Sequence, residues 1–207
     1  MTVRPGKWGD GRRVRIGLLG GSFNPAHAGH RHVADCALRA LRLDQVWLLV
    51  SPGNPLKPKR GMAPFAERLA SAGRIADGRR VVATGIEARL GTRFTVATLG
   101  LLRQRFPRAR FVLLVGADNL TQLPRWKRWR ALLRTTSLAV LPRPGETRRA
   151  LSGQAARTMA RHRRRPGALL PQGSAADSCG HAGWTLVPAR EHPASATAIR
   201  RAAGIVV

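Results

Sequence analysis

Short apolar runs alternate with segments of helical period along most of this chain, and that alternation restricts the fold more than any other feature. In RVRIGLLGG, Val14, Ile16 and Leu18 alternate and glycines close the run, as expected of a strand. Ala34, Ala37, Leu38 and Leu41 then recur at the spacing of one helix face. VWLLV (46–50) is continuously apolar, as for a parallel strand buried on both faces. The three prolines of SPGNPLKPKRG exclude helix and sheet alike. A second helix is expected from near Pro64, carrying Phe65, Leu69 and Ala72, and VVATGIE (81–87) reads as the third strand. A helix holding Leu99, Leu102 and Phe106 leads to strand four, FVLLVGAD (111–118). Asn119 to Leu133 reads as helix around Pro124, SLAVLPR (137–143) as strand five and WTLVPA (184–189) as a last short strand. SATAIRRAA starts a terminal helix. The pattern predicts an α/β fold with a doubly wound parallel sheet, in which ligands bind beyond the carboxyl ends of the strands.

A length of 207 residues suits one domain spanning 1–207, with residues 1–12 flexible. Residues 144–183 form a variable stretch rich in Gly, Pro, Arg and Ala, expected to hold a helix or two within loose connections. No run of 18 apolar residues occurs, so no membrane span is expected. The run Ile16 to Leu19 is too short for a signal peptide, which points to the cytoplasm. Cys36 and Cys179 share no motif, which rules out a disulfide scaffold and fits a reducing compartment. Cys36 reads as a small buried apolar group.

The net charge of +27 rests almost wholly on arginine, since Lys7, Lys57, Lys59 and Lys127 are the only lysines among 37 basic residues. The arginines are scattered, with one dense cluster at Arg161, Arg163, Arg164 and Arg165. We read this as arginine-biased composition plus an anionic small substrate, ahead of a nucleic-acid partner.

GGSFNPAHAGH (20–30), between strand one and helix one, carries the most chemistry. It is neither a Walker loop nor a GxGxxG fingerprint. Its glycines still let backbone N–H groups approach a phosphate, and the helix N-terminus beyond adds a positive dipole end. His27 and His30 stand three apart, on one side of the first turn, where two imidazoles can donate to phosphoryl oxygens. A solvated helix start or half of a zinc site is the other reading, but no Cys or carboxylate partner completes such a site. His32 falls outside the pattern and reads as solvated.

The whole segment resembles the GGxFxPxHxGH signature of the HxGH nucleotidyltransferase superfamily. The resemblance implies a Rossmann-like nucleotidyltransferase fold and transfer of an adenylyl or cytidylyl group from a nucleoside triphosphate. It puts Gly20, Gly21, Ser22, Phe23, His27 and His30 against ATP. SATAIR (195–200) is similar to the ISxTxIR motif that closes the same site, with Ala194 standing where the family usually has isoleucine. Ser195 or Thr197 can cap the short C-terminal helix and bind phosphate oxygens, and Arg200 adds charge.

The middle of the chain resembles one branch, the nicotinate-mononucleotide adenylyltransferases. Three stretches carry the likeness: FVLLVGADNLTQLPRWKRWRALL, Asn54-Pro55-Leu56-Lys57, and Arg93-Phe94-Thr95 to Thr98-Leu99, where Ala97 replaces a frequent acid. By themselves, Trp126 and Trp129 read more readily as core or helix-surface residues. The resemblance implies that Trp126 stacks on the pyridine ring, with Thr95 and Lys127 near its carboxylate and Asp118 near the nucleotide sugars. Asn24 and Lys57 are expected on the mononucleotide, and His27, His30, Lys57 and Arg200 in the catalytic set.

The implied reaction joins ATP to nicotinate mononucleotide, giving nicotinate adenine dinucleotide (deamido-NAD) and pyrophosphate. The attacking phosphate is already mostly dianionic near neutral pH, its second pKa being about 6, so no protein base or covalent nucleophile is needed. Mg²⁺ is expected to arrive with the triphosphate, held by phosphate and water rather than by dedicated protein ligands. Three alternatives stay open: nicotinamide mononucleotide as substrate, a sister transferase acting on phosphopantetheine or glycerol phosphate, and a basic nucleic-acid binder.

Overall fold

The computed structural model describes residues 5, 9–53, 61–170, 182–202 and 204. Its sheet contains β1 (Arg15–Gly21), β2 (Gln45–Val50), β3 (Val81–Thr84), β4 (Arg110–Gly116), β5 (Ser137–Leu141) and β6 (Trp184–Leu186). All neighbours run parallel in the order β3-β2-β1-β4-β5-β6. This is the doubly wound order, and its switch point lies between β1 and β4. Leu18 stands beside Trp47 on one side and Leu113 on the other.

The apolar runs are continuous because both faces of the sheet are covered. Ile16, Leu18, Trp47, Leu49, Leu113 and Val115 face one core, shared with α4 (Thr95–Arg105) and α6 (Trp129–Thr135). Leu19, Val46, Leu48, Val112 and Leu114 face the other, under α1 (Ala28–Ala40) and α2 (Phe65–Ile75). The period of two along each strand thus feeds two cores in turn. Among the described residues no helix is long and apolar enough to cross a membrane.

Four expectations need correction. VVATGIE is strand only to Thr84. Gly85 leaves the ladder where a side chain would stand 2.9 Å from the Phe65 ring, and Ile86–Arg89 forms the short helix α3. Asp118 likewise belongs not to β4 but to α5 (Ala117–Gln122). The helix expected over 119–133 is therefore three pieces: α5, a 3₁₀ turn at Leu123–Arg125, and α6. Pro124 sits inside the 3₁₀ turn, and Arg128 takes a left-handed φ of 53° before α6 begins. Strand five stops at Leu141, ahead of Pro142, which has no N–H to give a ladder.

The described part of 144–183 is better packed than loose connections would be. It holds α7 (Thr147–Leu151), α8 (Gln154–Thr158) and two 3₁₀ turns, and buries Ala150, Ala155, Ala156 and Met159 in the first core. The Trp184 indole N–H donates to Met159 O at 2.8 Å, fastening this segment to β6. The chain's described part closes with α9 (Ala196–Ala202). Cys36 is buried as expected; Cys179, Lys57 and the rest of 54–57 lie outside the described residues.

Candidate active site

A cleft of about 700 Å³ opens at the carboxyl ends of β1 and β4, where the strand order reverses. The β1–α1 connection brings Gly20, Gly21, Ser22, Phe23, Asn24, His27 and His30 to it. Asp118 enters from α5, Thr95 from α4, and Trp126 and Lys127 from the turn before α6. Ser195, Thr197 and Arg200 come from the far end of the chain. Every expected site residue that the structure describes therefore meets in one cavity.

The loop after β1 owes its shape to a few contacts. Phe23 adopts a left-handed φ of 49° and buries its ring beside Gly21 and against the His30 ring, 4.8 Å away. Asn24, expected on the mononucleotide, uses its amide as a latch: Nδ2 donates to Gly61 O (2.8 Å) and Oδ1 accepts from Ala63 N–H (3.2 Å). At the start of α1 the two histidines brace each other. His27 N–H donates to His30 Nδ1 at 3.2 Å, and His30 N–H donates to His27 O at 2.9 Å. With Nδ1 accepting, a neutral His30 carries its proton on Nε2, a donor suited to a phosphoryl oxygen. Gly29 is required between them, since a Cβ there would lie 3.0 Å from the His27 ring and 3.2 Å from Ala194 O.

His27 is 8% exposed, and its Nδ1 is buried without a partner among the described residues. Burial, helped by the positive charges of Arg143 and His192, pulls its pKa down to about 4. His27 is thus a neutral imidazole at neutral pH, a hydrogen-bonding group rather than a counter-ion. A pH dependence of stability follows. The unfolded chain protonates this imidazole below about 6.5, but the folded one does so only near 4, so stability is full above that window and lost as pH falls through it. The expected loss is on the order of 2 kcal/mol, allowing for solvent in the open cleft. Denaturant unfolding at pH 7 and pH 4.5 should show a shallower pH dependence in His27→Gln than in the wild type; equal dependences would contradict the shift.

Beneath the loop lies Arg68, 3% exposed and absent from the sequence expectations. Its guanidinium donates to Ser22 O (2.8 Å), Ser51 O (2.7 Å), Pro52 O (3.3 Å) and Ala63 O (2.9 Å). One side chain thereby ties the ends of β1 and β2 to the start of α2. The available signal was its register, three after Phe65 and four before Ala72 on the apolar face of α2.

On the opposite wall, Asp118 stands at the start of α5 beside Gly116, where a Cβ would meet Asp118 Oδ1 at 2.3 Å. That oxygen has no hydrogen bond among the described residues and lies 3.7 Å from Arg143 Nε. Ser195 Oγ accepts from Ala198 N–H (3.1 Å) as the cap of α9, and the Arg200 guanidinium donates to Asn24 O and to Thr197 Oγ1. The two ends of the chain are so joined across the cleft. His32 is not simply solvated: its Nε2–H donates to Arg190 O at 2.8 Å, and its ring lies 5.4 Å from that of His192. This helix-to-tail tether holds the segment leading to Ser195.

At the third side, Trp126 is half-buried against the first core, and Lys127 Nζ lies 4.4 Å from the centre of the Phe94 ring. Thr98 Oγ1–H donates to Glu87 Oε1 (3.0 Å), and burial raises the Glu87 pKa. Glu87, Arg93, Arg143 and His192 line the cleft but were not foreseen. For Arg143 a signal existed, since it stands two residues past the carboxyl end of β5.

The cytidylyltransferase-like family matches residues 18–202. A protein of Gluconobacter oxydans named probable nicotinate-nucleotide adenylyltransferase is 64% identical over 90% of this chain and 94% of its own. One of the same name from Gluconacetobacter diazotrophicus is 58% identical, over 95% and 89%. Among solved structures, Plasmodium falciparum nicotinic acid mononucleotide adenylyltransferase complexed with NaAD superposes with a TM-score of 0.64. It covers 91% of this chain and 83% of its own at 14% identity, a likeness of fold. With its β1 glycine turn, paired histidines and α9 closing one cleft, the chain belongs to the cytidylyltransferase-like family and, within it, to the nicotinate-nucleotide adenylyltransferases.

Proposed function

We propose that the chain transfers the adenylyl group of ATP to nicotinate mononucleotide, releasing pyrophosphate and forming nicotinate adenine dinucleotide for NAD biosynthesis. The observation that carries this reading is the meeting of His27 and His30 with Ser195, Thr197 and Arg200 in one cleft whose other side holds Trp126 and Lys127. Two polar clusters suit a polyphosphate, and an indole beside an ammonium suits an aromatic carboxylate. The relatives are named for this reaction.

In the reaction, a phosphate oxygen of the mononucleotide attacks the α-phosphorus of ATP. The new P–O bond forms as the bond from the α-phosphorus to the bridging oxygen breaks, and that electron pair leaves with pyrophosphate. The protein's task is alignment of two anions and neutralisation of the charge that develops. His30 Nε2–H and the neutral His27 donate to phosphoryl oxygens at the positive end of α1. Arg200 meets the phosphate chain from α9, and Asp118 is assigned to the nucleotide sugars. Lys57 remains a proposed member of the catalytic set on its motif alone.

Among the described residues, no group of three or more His, Cys, Asp or Glu side chains converges as a metal site. A Mg²⁺ that comes with the triphosphate is taken to be held by phosphate oxygens and water. When bound, the ion supplies further neutralisation of phosphate charge. The reading also takes 1–207 as one catalytic domain in the cytoplasm.

Trp126→Ala is expected to raise KM for the mononucleotide and spare kcat, because ring stacking acts on ground and transition state alike. By analogy with base stacking, the loss is about 1–3 kcal/mol. An unchanged KM with a lowered melting temperature would mark Trp126 as a core residue. The function itself is tested by a substrate panel with pyrophosphate readout. ATP plus nicotinate mononucleotide should release pyrophosphate and the dinucleotide in equal amounts. Release with phosphopantetheine or glycerol phosphate instead would refute the reading.

A further inference from the structure

Arg68 and Arg143 both approach the cleft loops, and their surroundings differ in kind. Arg68 is saturated by four backbone carbonyls and is part of the frame. Arg143 is not saturated. Its side chain is 24% exposed and lines the cleft, yet no hydrogen bond from its guanidinium occurs among the described residues. Among the described residues it forms an ion pair with Asp118, with Nε 3.7 Å from Oδ1. That separation is an ionic contact beyond hydrogen-bond length. Asp118 Oδ1 for its part is buried and unpaired. We propose that Arg143 is a catalytic residue that grips the phosphate chain of the nucleoside triphosphate and neutralises the departing pyrophosphate.

The position is built for this. Gly116 makes room for both charges, since a Cβ there would lie 2.3 Å from Asp118 Oδ1, 3.0 Å from Arg143 Nε and 3.3 Å from Arg143 Cγ. The stem of Arg143 therefore lies against a bare backbone at the carboxyl end of β4. Its own main chain is held in place, with Arg143 N–H donating to Thr147 Oγ1 at 3.0 Å. The guanidinium is near enough to His27 to disfavour a proton on that ring. A cation in long ionic contact with Asp118 and close enough to act on His27, with no hydrogen bond from its guanidinium among the described residues, has donors available for an anion. A planar guanidinium can bind two phosphate oxygens at once, which an ammonium cannot. As the triphosphate enters, Arg143 exchanges a long contact with Asp118 for short ones with phosphate. Asp118 is then released for the hydroxyl groups of the sugar.

This assignment rests on the adenylyl-transfer reading, and the test separates the two. Arg143→Gln is expected to lower kcat by roughly 10²-fold or more, the range for losing one oxyanion donor, and to raise KM for pyrophosphate in the reverse reaction. Arg143→Lys should recover part of the loss. In the ligand-free protein, NMR titration should place the His27 pKa higher in Arg143→Gln than in the wild type. If Arg143 served only as the counter-ion of Asp118, then Arg143→Gln would add no loss in an Asp118→Asn background. That outcome, or near-normal turnover in a folded Arg143→Gln, overturns the proposal. If the wild type turns over no mononucleotide, the adenylyl-transfer reading fails, and calorimetry with pyrophosphate alone still decides. Weaker binding in Arg143→Gln supports the phosphate grip, and equal binding overturns it.

Discussion

His30→Ala is expected to lower kcat by roughly 10²-fold or more while leaving the fold in place, in the range for removing one preorganised donor to a developing charge. The size of the effect follows from geometry. His30 Nδ1 is occupied by His27 N–H, so the proton of the neutral ring sits on Nε2. Removing the ring removes that donor. Because the interaction strengthens as charge moves onto the transferring phosphoryl group, kcat and kcat/KM should fall together. The structural cost is smaller. His27 N–H loses its acceptor at the helix start, a capping loss of about 0.5–2 kcal/mol. A melting curve beside the kinetics separates the two, and near-normal turnover in a folded variant would remove His30 from the catalytic set.

Arg68→Ala should produce the largest loss of stability of any single change near the cleft, about 3–5 kcal/mol. The substitution strips partners from four carbonyls, those of Ser22, Ser51, Pro52 and Ala63, and leaves a void where a long side chain was buried. Each buried polar group left unsatisfied costs about 1–3 kcal/mol, part of which water recovers by entering the gap. At about 2–4 °C per kcal/mol for a chain of this size, the melting temperature should drop by roughly 10 °C. Activity should fall as well, since Ser22 and the loop behind the histidines lose their anchor. A loss under about 1 kcal/mol in denaturant unfolding would show that the carbonyls find water easily and that Arg68 is not the brace it resembles.

The parts of this molecule that could be read from sequence are those where chemistry is local. VWLLV is continuous because β2 is covered on both faces, and GGSFNPAHAGH spells its turn, its helix start and its paired imidazoles within eleven residues. The helix expected over 119–133 was read as one because its apolar spacing survives the interruption, which depends on Arg128 turning left-handed. VVATGIE ran past its true end because an apolar run does not by itself mark where a strand becomes a helical turn. The stretch after β5 looked loose because its fully buried contacts with the first core come from three alanines and one methionine, residues with little periodic signal. The roles of Arg68, Arg143 and His192 were hidden for a different reason. Among 37 basic residues, the register of Arg68 on α2 and the place of Arg143 just past β5 are weak signals, and the folded loops show that one is saturated and the other is not.

The most direct measurement is the initial rate of pyrophosphate release by the purified chain with ATP and Mg²⁺, comparing nicotinate mononucleotide with nicotinamide mononucleotide at matched concentrations. On the proposed function, Lys127, which lines the cleft with Trp126, is assigned to the carboxylate of the acid, a charge that the neutral amide lacks. The expected result is a higher kcat/KM for nicotinate mononucleotide, with nicotinate adenine dinucleotide formed in step with pyrophosphate. Equal or better turnover of the amide, or no release with either, would contradict the assignment.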